Sequence, residues 1–194
     1  VFAGTASVSK AVIPYADNII MNDFLYSNNI IYKAFFGEGK YEDAKLSSLI
    51  TQYNTINPDD IPDNYFSDNF GNKFFDYKNA KLIGWIREDI ERHRKALTEK
   101  EYAILLASLI YSIDKIANTV GHFDAYIKKP IAYHPLTLQL IKPLSPNSVE
   151  IYREDSNLLA ERVSADVAYI DPPYNSRQYS RFYHIYENLI TWEK

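Results

Sequence analysis

Near the end of the sequence the string VAYIDPPYNSRQYSRFYHIYENL sets an acid, two prolines and an aromatic ring in succession, at Asp171, Pro172, Pro173 and Tyr174. Two consecutive prolines forbid both helix and central strand. The chain must therefore leave the strand-like run before them, 167–170, in a stiff and defined shape. An acceptor stands before the stiff element and a ring after it, so a ligand can be held between the two. A second acid, Asp23, stands at the tip of the short apolar run Asn18-Ile19-Ile20-Met21. His122-Phe123-Asp124 carries two metal-ligating residue types. Two ligands make no metal site, and a structural loop is the expected reading there. His184 is expected to pack or hydrogen-bond rather than to catalyse.

These residues need elements to position them. Val1-Phe2 reads as the end of a strand and runs into the small-residue turn Ala3-Gly4-Thr5-Ala6-Ser7. A helix pattern follows from Val8 until Pro14 stops it. The run to Met21 is a second strand, with Asp23 at its tip. A helix from Phe24 to Phe36 is then ended by Gly37. Strand, turn, helix, strand, acid, helix implies a parallel sheet with covering helices, and in such sheets ligands sit at the carboxyl ends of the strands. Residues 148–152 and 167–170 read as third and fourth strands, with a short helix between them and a last helix over 182–192.

The middle reads differently. Residues 38–80 are polar, with NPDDIPDNYF as a loop signal. Residues 81–96 repeat apolar residues at helical spacing, and their other face pairs Glu88 with Arg92 and Glu91 with Lys95, as a solvated face. Thr98-Glu99-Lys100-Glu101 is a capping box opening a helix that is apolar on most sides and so expected to be buried. Gly121 pivots a loop, and Pro130, Pro135, Pro143 and Pro146 keep the following stretch extended.

At 46% hydrophobic and 24% charged residues the composition is that of a soluble globular protein. No apolar run approaches the ~20 residues of a membrane helix, and VFAGTASVSK is not a signal peptide. The absence of cysteine excludes disulfides and cysteine-bound zinc and fits a cytoplasmic location. A net charge of −4 argues against a dedicated nucleic-acid coat, though not against an enzyme with a local DNA patch.

The sequence resembles the N6-adenine-specific DNA methyltransferases of the DNA adenine methylase type. FAGTAS is similar to the family's cofactor-binding motif, NDF to the acid that follows it, and YIDPPYNSRQYSRFYH to the catalytic motif and its downstream loop. The resemblance implies a Rossmann-like α/β sheet, incomplete here, built from 1–37 and 147–194. A mainly helical insertion, 38–146, carries target recognition. It implies transfer of a methyl group from S-adenosylmethionine to N6 of an adenine flipped from duplex DNA, in a restriction-modification setting, with a restriction endonuclease as a further expected partner and no metal or membrane. The Asp171 carboxylate and the Pro172 carbonyl would accept the two N–H bonds of the amine and free its lone pair. Pro173 would stiffen the turn, and Tyr174 would stack on the base. Phe2, Ala3, Gly4, Thr5, Ala6 and Ser7 would approach the cofactor's amino-acid end, Asp23 its ribose hydroxyls, and Phe24 lies beside them. Asp155, or the main chain at Ser156, would bind the cofactor's adenine, with Glu154 and Asp166 as competitors.

Arg177, Tyr179 and Arg181 in the downstream loop, with Lys128 and Lys129, are the candidate DNA contacts. The family's second glycine is Ala6 here, and a methyl group fits that position only at negative φ. The acid that ordinarily precedes Val1-Phe2, and about three more strands, would lie outside these 194 residues, so a piece of a larger protein is expected. Other readings are a catalytically incomplete binding fragment, or an amino-methyltransferase acting on cytosine N4 or on protein glutamine. Asp171 argues against the last, because a neutral Asn at that position suits an amide.

Overall fold

A computed structural model describes residues 1–172 and 179–194, without the side chains of Tyr179 and Ser180. The elements run α1 (Ser7–Val12), β1 (Ile19–Asn22), α2 (Tyr26–Phe35), α3 (Asp43–Thr55), α4 (Tyr65–Phe70), α5 (Tyr77–Arg92), α6 (Glu99–Asp114), β2 (Val149–Tyr152), α7 (Ser156–Ala160) and α8 (Tyr179–Thr191). The two strands pair in parallel, Ile19 opposite Val149 and Asn22 opposite Tyr152. Their carboxyl ends, and the loops that follow them, therefore lie on the same edge.

Two expected strands are corrected. Residues 1–3 and 167–170 carry no strand assignment. Phe2 has φ 56, outside any extended geometry, and Val167, Tyr169 and Ile170 are more than half exposed. Single hydrogen bonds still set these segments beside the sheet. The Ala3 N–H donates to the Asn22 carbonyl at 3.0 Å, and the Val1 nitrogen donates to the Tyr169 carbonyl at 2.9 Å. The sheet itself has two strands, 149–152 beside 19–22, with Ala3 tied to the end of the latter and Tyr169 to Val1 by one bond each.

Residues 38–80, read as polar loop, hold two helices. In α3 the residues Leu46, Ile50 and Tyr53 recur at helical spacing and are buried. In α4 the Asn64 side chain accepts from the N–H groups of Phe66 and Ser67, and the Ser67 hydroxyl returns a bond to the Asn64 N–H, a capping box that opens the helix. The capping box of α6 forms as expected between Thr98 and Glu101, and α6 buries most of its length. The extended stretch after Pro130 is held by side chains: Asn79 accepts from the Leu136 N–H and Asn54 from that of Leu138.

The charged face of 81–96 is solvated as expected at Glu91, Arg92 and Lys95, but its pairs differ from those expected. Glu91 pairs with Arg87 rather than Lys95, and Arg92 with Asp89 rather than Glu88. Glu88 instead pairs with Lys194 and accepts from the Trp192 indole. Arg87 is 1% exposed. It donates to the carbonyls of Leu189 at 2.5 Å and Ile190 at 3.3 Å, and to the Tyr102 hydroxyl. A buried guanidinium thus caps the C-terminal end of α8, where a cation complements the helix dipole. One apolar cluster runs from Met21 and Ile31 through Leu46, Ile83 and Leu105 to Ile185 and Leu189.

Candidate active site

The first turn is built on backbone geometry. Gly4 has φ 52 and Ala6 φ 61, and the Ala6 N–H donates to the Ala3 carbonyl at 2.8 Å. The expectation of negative φ at Ala6 is therefore corrected. The turn tightens into α1 through a left-handed residue, and the Ala6 methyl, 3% exposed, is buried in compensation. A side chain at Gly4 would meet no atom within 4 Å, so glycine serves its dihedral there and leaves the space beside the turn open. Thr5 and Ser7 are exposed, their hydroxyls 2.9 Å apart. Beneath the turn the fully buried Tyr32 donates to the Gly4 carbonyl at 2.6 Å. Burial, then the Asp23 carboxylate beside it, pushes the Tyr32 phenol far up, so it remains a donor at any working pH. Nothing in the spacing of the sequence marked Tyr32 for this.

Asp23 locks the two turns together. Its Oδ2 accepts the Gly4 N–H at 2.9 Å and its Oδ1 the Leu25 N–H at 3.0 Å. Each oxygen keeps acceptor capacity for a ligand donor, since a carboxylate offers about four lone-pair sites. Phe24 beside it is 68% exposed. Arg153, at the exit of β2, donates to the Phe24 carbonyl at 3.3 Å and holds its guanidinium 3.7 Å from the Tyr26 ring centroid. Its cation–π contact joins the two loops, a role no motif announced.

Asn22, buried at the end of β1, clamps the loop after β2. Its Nδ2 donates to the Glu154 carbonyl and the Ser156 hydroxyl, each at 3.0 Å, and its Oδ1 accepts the Glu154 N–H at 3.1 Å. Asp155 is exposed and caps α7, accepting from the N–H groups of Asn157 and Leu158. The competing Glu154 pairs with Arg162. The candidates Phe2 to Ser7, Asp23, Phe24, Asp155 and Ser156 thus gather at one sheet edge.

Asp171 and Pro172 are exposed, and the bond from Val1 to Tyr169 brings the run before them alongside the first turn. Pro173, Tyr174 and Arg177, and the side chain of Tyr179, lie outside the described residues. Arg181 is exposed with its Nε 3.7 Å from Asp124. The loop after α6 abuts the start of α8. Phe123 donates its N–H to the Phe182 carbonyl at 2.9 Å, and the His122 ring lies 4.6 Å from that of Phe182. The same loop is closed by bonds between Asn118 and Ile127 and presents Lys128 and Lys129 to solvent. His184 packs among Phe70, Phe74 and Phe123. Among the described residues no three His, Cys, Asp or Glu gather as a metal site, and no helix is long and apolar enough to cross a membrane.

The helix after the Asp171 turn touches the helix after Asp23. On α8 the two carboxylate oxygens of Glu187 accept the N–H groups of Tyr26 at 3.0 Å and Ser27 at 2.8 Å. An acid at a helix N-terminus satisfies free donors and complements the dipole.

Comparison with known proteins bears on this arrangement. The chain is 28% identical over 200 residues to type II methyltransferase M.NlaIII of Neisseria lactamica, covering 99% of the chain and 60% of that protein. It is 32% identical over 204 residues to modification methylase StsI of Streptococcus sanguinis, covering 97% of the chain and 31% of that protein. It is 39% identical over 126 residues to type II methyltransferase M.CviAII of Paramecium bursaria Chlorella virus 1, covering 62% of the chain and 38% of that protein. The chain thus spans between about a third and 60% of the length of these relatives. No solved structure matches it. All 194 residues match the family of D12 class N6 adenine-specific DNA methyltransferases, and the chain belongs to that family.

Proposed function

We propose that this chain binds S-adenosylmethionine and methylates N6 of an adenine flipped out of duplex DNA, as part of a cytoplasmic modification methylase paired with a restriction endonuclease. The observation that carries the reading is the joining of two turns at one sheet edge. Asp23 bonds the Gly4 turn, and the Val1–Tyr169 bond sets the approach to Asp171 beside it. The parallel pairing of the two strands, with the first turn beside their carboxyl ends, supports a Rossmann-like sheet, in which ligands bind at that end.

The residues present fit the cofactor. Asp23 keeps acceptor capacity for ribose hydroxyls, the space over Gly4 is open, and Phe24 offers an exposed ring. Asp155 or the Ser156 main chain would receive the adenine, and Phe2 to Ser7 the amino-acid end. When bound, the sulfonium supplies an electrophilic methyl group. Asp171 and the Pro172 carbonyl accept the two amine N–H bonds, which favours a pyramidal nitrogen with a free lone pair. The prolines aim both acceptors in advance, so orientation is set before the reaction. The amine proton becomes acidic only once nitrogen has bonded to carbon, and the carboxylate or a water then takes it. Tyr174 stacks on the flipped base. Lys128, Lys129, Arg177, Tyr179 and Arg181 contact the DNA around it, and the insertion 38–146 reads the target.

The test is mass spectrometry of nucleosides from duplex DNA incubated with the protein and S-adenosylmethionine. N6-methyladenine is expected, and Asp171→Ala should lower its rate by about 10²- to 10³-fold, as for loss of one preorganised hydrogen-bonding group. A methyl group found on cytosine, RNA or protein instead would overturn the reading.

A further inference from the structure

Glu187 closes a chain of hydrogen bonds that runs from the first turn to the helix following Asp171. The Gly4 N–H is held by Asp23 Oδ2, the Leu25 N–H by Asp23 Oδ1, and the next two N–H groups of α2, at Tyr26 and Ser27, by Glu187. Two carboxylates on different segments thus share one helix N-terminus. Both therefore bear on the same end of α2, a helix of 10 residues. Further polar ties of α8 lead to the insertion: Tyr186 to Asp114 at the end of α6, Asn188 to Tyr65, the Phe182 carbonyl to the Phe123 N–H, and Arg87 of α5 to the carbonyls of Leu189 and Ile190. Those fix α8 to the insertion. The Glu187 tie fixes it to the cofactor side.

We infer that Glu187 is a positioning residue for the methyl transfer, one that sets the distance between donor and acceptor sites by locking α8 to the N-terminus of α2. The inference rests on the methyltransferase reading above. The two reactants are held on different segments, Asp23 and Gly4 on one side and Asp171 on the other. A slip of about 1 Å between such segments costs up to about 10²-fold in rate. Glu187 touches neither reactant. Its loss acts on alignment, while Asp23 keeps its own bonds to Gly4 and Leu25 and the cofactor site stays formed.

The experiment compares kcat for DNA methylation with the Kd of S-adenosylmethionine in the wild type, Glu187→Ala, Glu187→Gln and Asp114→Asn, with thermal stability recorded for each. Glu187→Ala is expected to lose about 10- to 100-fold in kcat while the cofactor Kd moves less than about threefold. Glu187→Gln, which retains one oxygen acceptor, should fall in between, and it carries the test if the alanine variant does not fold. Asp114→Asn replaces the charged acceptor of the Tyr186 hydroxyl by a neutral one, weakens the tie of the same helix to the insertion, and should keep kcat within about twofold. Unchanged kcat in both Glu187 variants would overturn the inference, as would equal losses in Asp114→Asn or a loss confined to cofactor binding. A wild type that transfers no methyl group would overturn the methyltransferase reading itself, and the inference with it.

Discussion

A carboxylate oxygen has two lone pairs, and at Asp23 one on each oxygen is engaged inside the protein, by Gly4 and by Leu25. On the reading proposed above, the remaining pairs are what a ribose would use. Asp23→Asn exchanges one oxygen for an NH2 group that must face an N–H, leaving a half-buried donor unpaired at a cost of about 1–3 kcal/mol. The variant should therefore lose stability in urea denaturation and also weaken S-adenosylmethionine binding by about tenfold or more in calorimetry. A residue serving the ligand alone would move only the second readout. Ala6 shows the opposite kind of constraint. Its positive φ costs about 1–2 kcal/mol for an L-residue, and its buried methyl returns part of that.

At the scale of elements, α2 is the piece on which the site depends, and both of its ends are charged as its dipole requires. Acids hold the N-terminus. At the other end the Lys100 amine, from α6, donates to the Lys33 carbonyl at 3.0 Å and the Gly37 carbonyl at 2.6 Å. Gly37 is needed there for closeness rather than for dihedral freedom: a Cβ would lie 2.7 Å from the Lys33 carbonyl oxygen. Burial pulls the Lys100 amine down from 10.5 to about 8. The neutral amine still has two N–H bonds for its two carbonyls, so the contact survives deprotonation. Between pH 8 and 10.5 the unfolded chain carries a proton that the folded chain has released. The Lys100 contribution to stability therefore rises with pH across that window and is lowest below it. Urea denaturation at about pH 7 and about pH 9.5 should show the wild type gaining on Lys100→Met as pH rises.

Across the whole molecule, the segments that carry the site and the helices between them share one apolar cluster. The buried Arg87 is the polar counterpart of that continuity, since it joins α5 to the end of α8. Arg87→Leu removes a guanidinium that satisfies two helix-end carbonyls, and should lower stability by about 2–3 kcal/mol. Because the cluster is continuous, the loss should shift one cooperative urea transition rather than split it in two. Two transitions would show that 38–146 folds independently of the rest.

Much of this was legible locally. The Thr98–Glu101 capping box, the apolar spacing of α5 and α6, the β1 and β2 segments and the Asp23 corner are statements about neighbouring residues, and short-range sterics and capping decide those. The helix α3 was missed because its apolar residues Leu46, Ile50 and Tyr53 are diluted by Ser, Thr and Asn. α4 was missed because its signal is one Asn64 cap. The burial of Arg87 against the end of α8, the Tyr32 support under Gly4 and the Glu187 tie depend on segments brought together from far along the chain. The sequence by itself determined the α6 capping box, the apolar faces of α5 and α6 and the acid at the tip of β1, since residue type and short-range sterics act locally. Only the tertiary structure decided which charges face one another and which donors a carboxylate must satisfy, because those choices are made by burial and by the dipoles of packed helices.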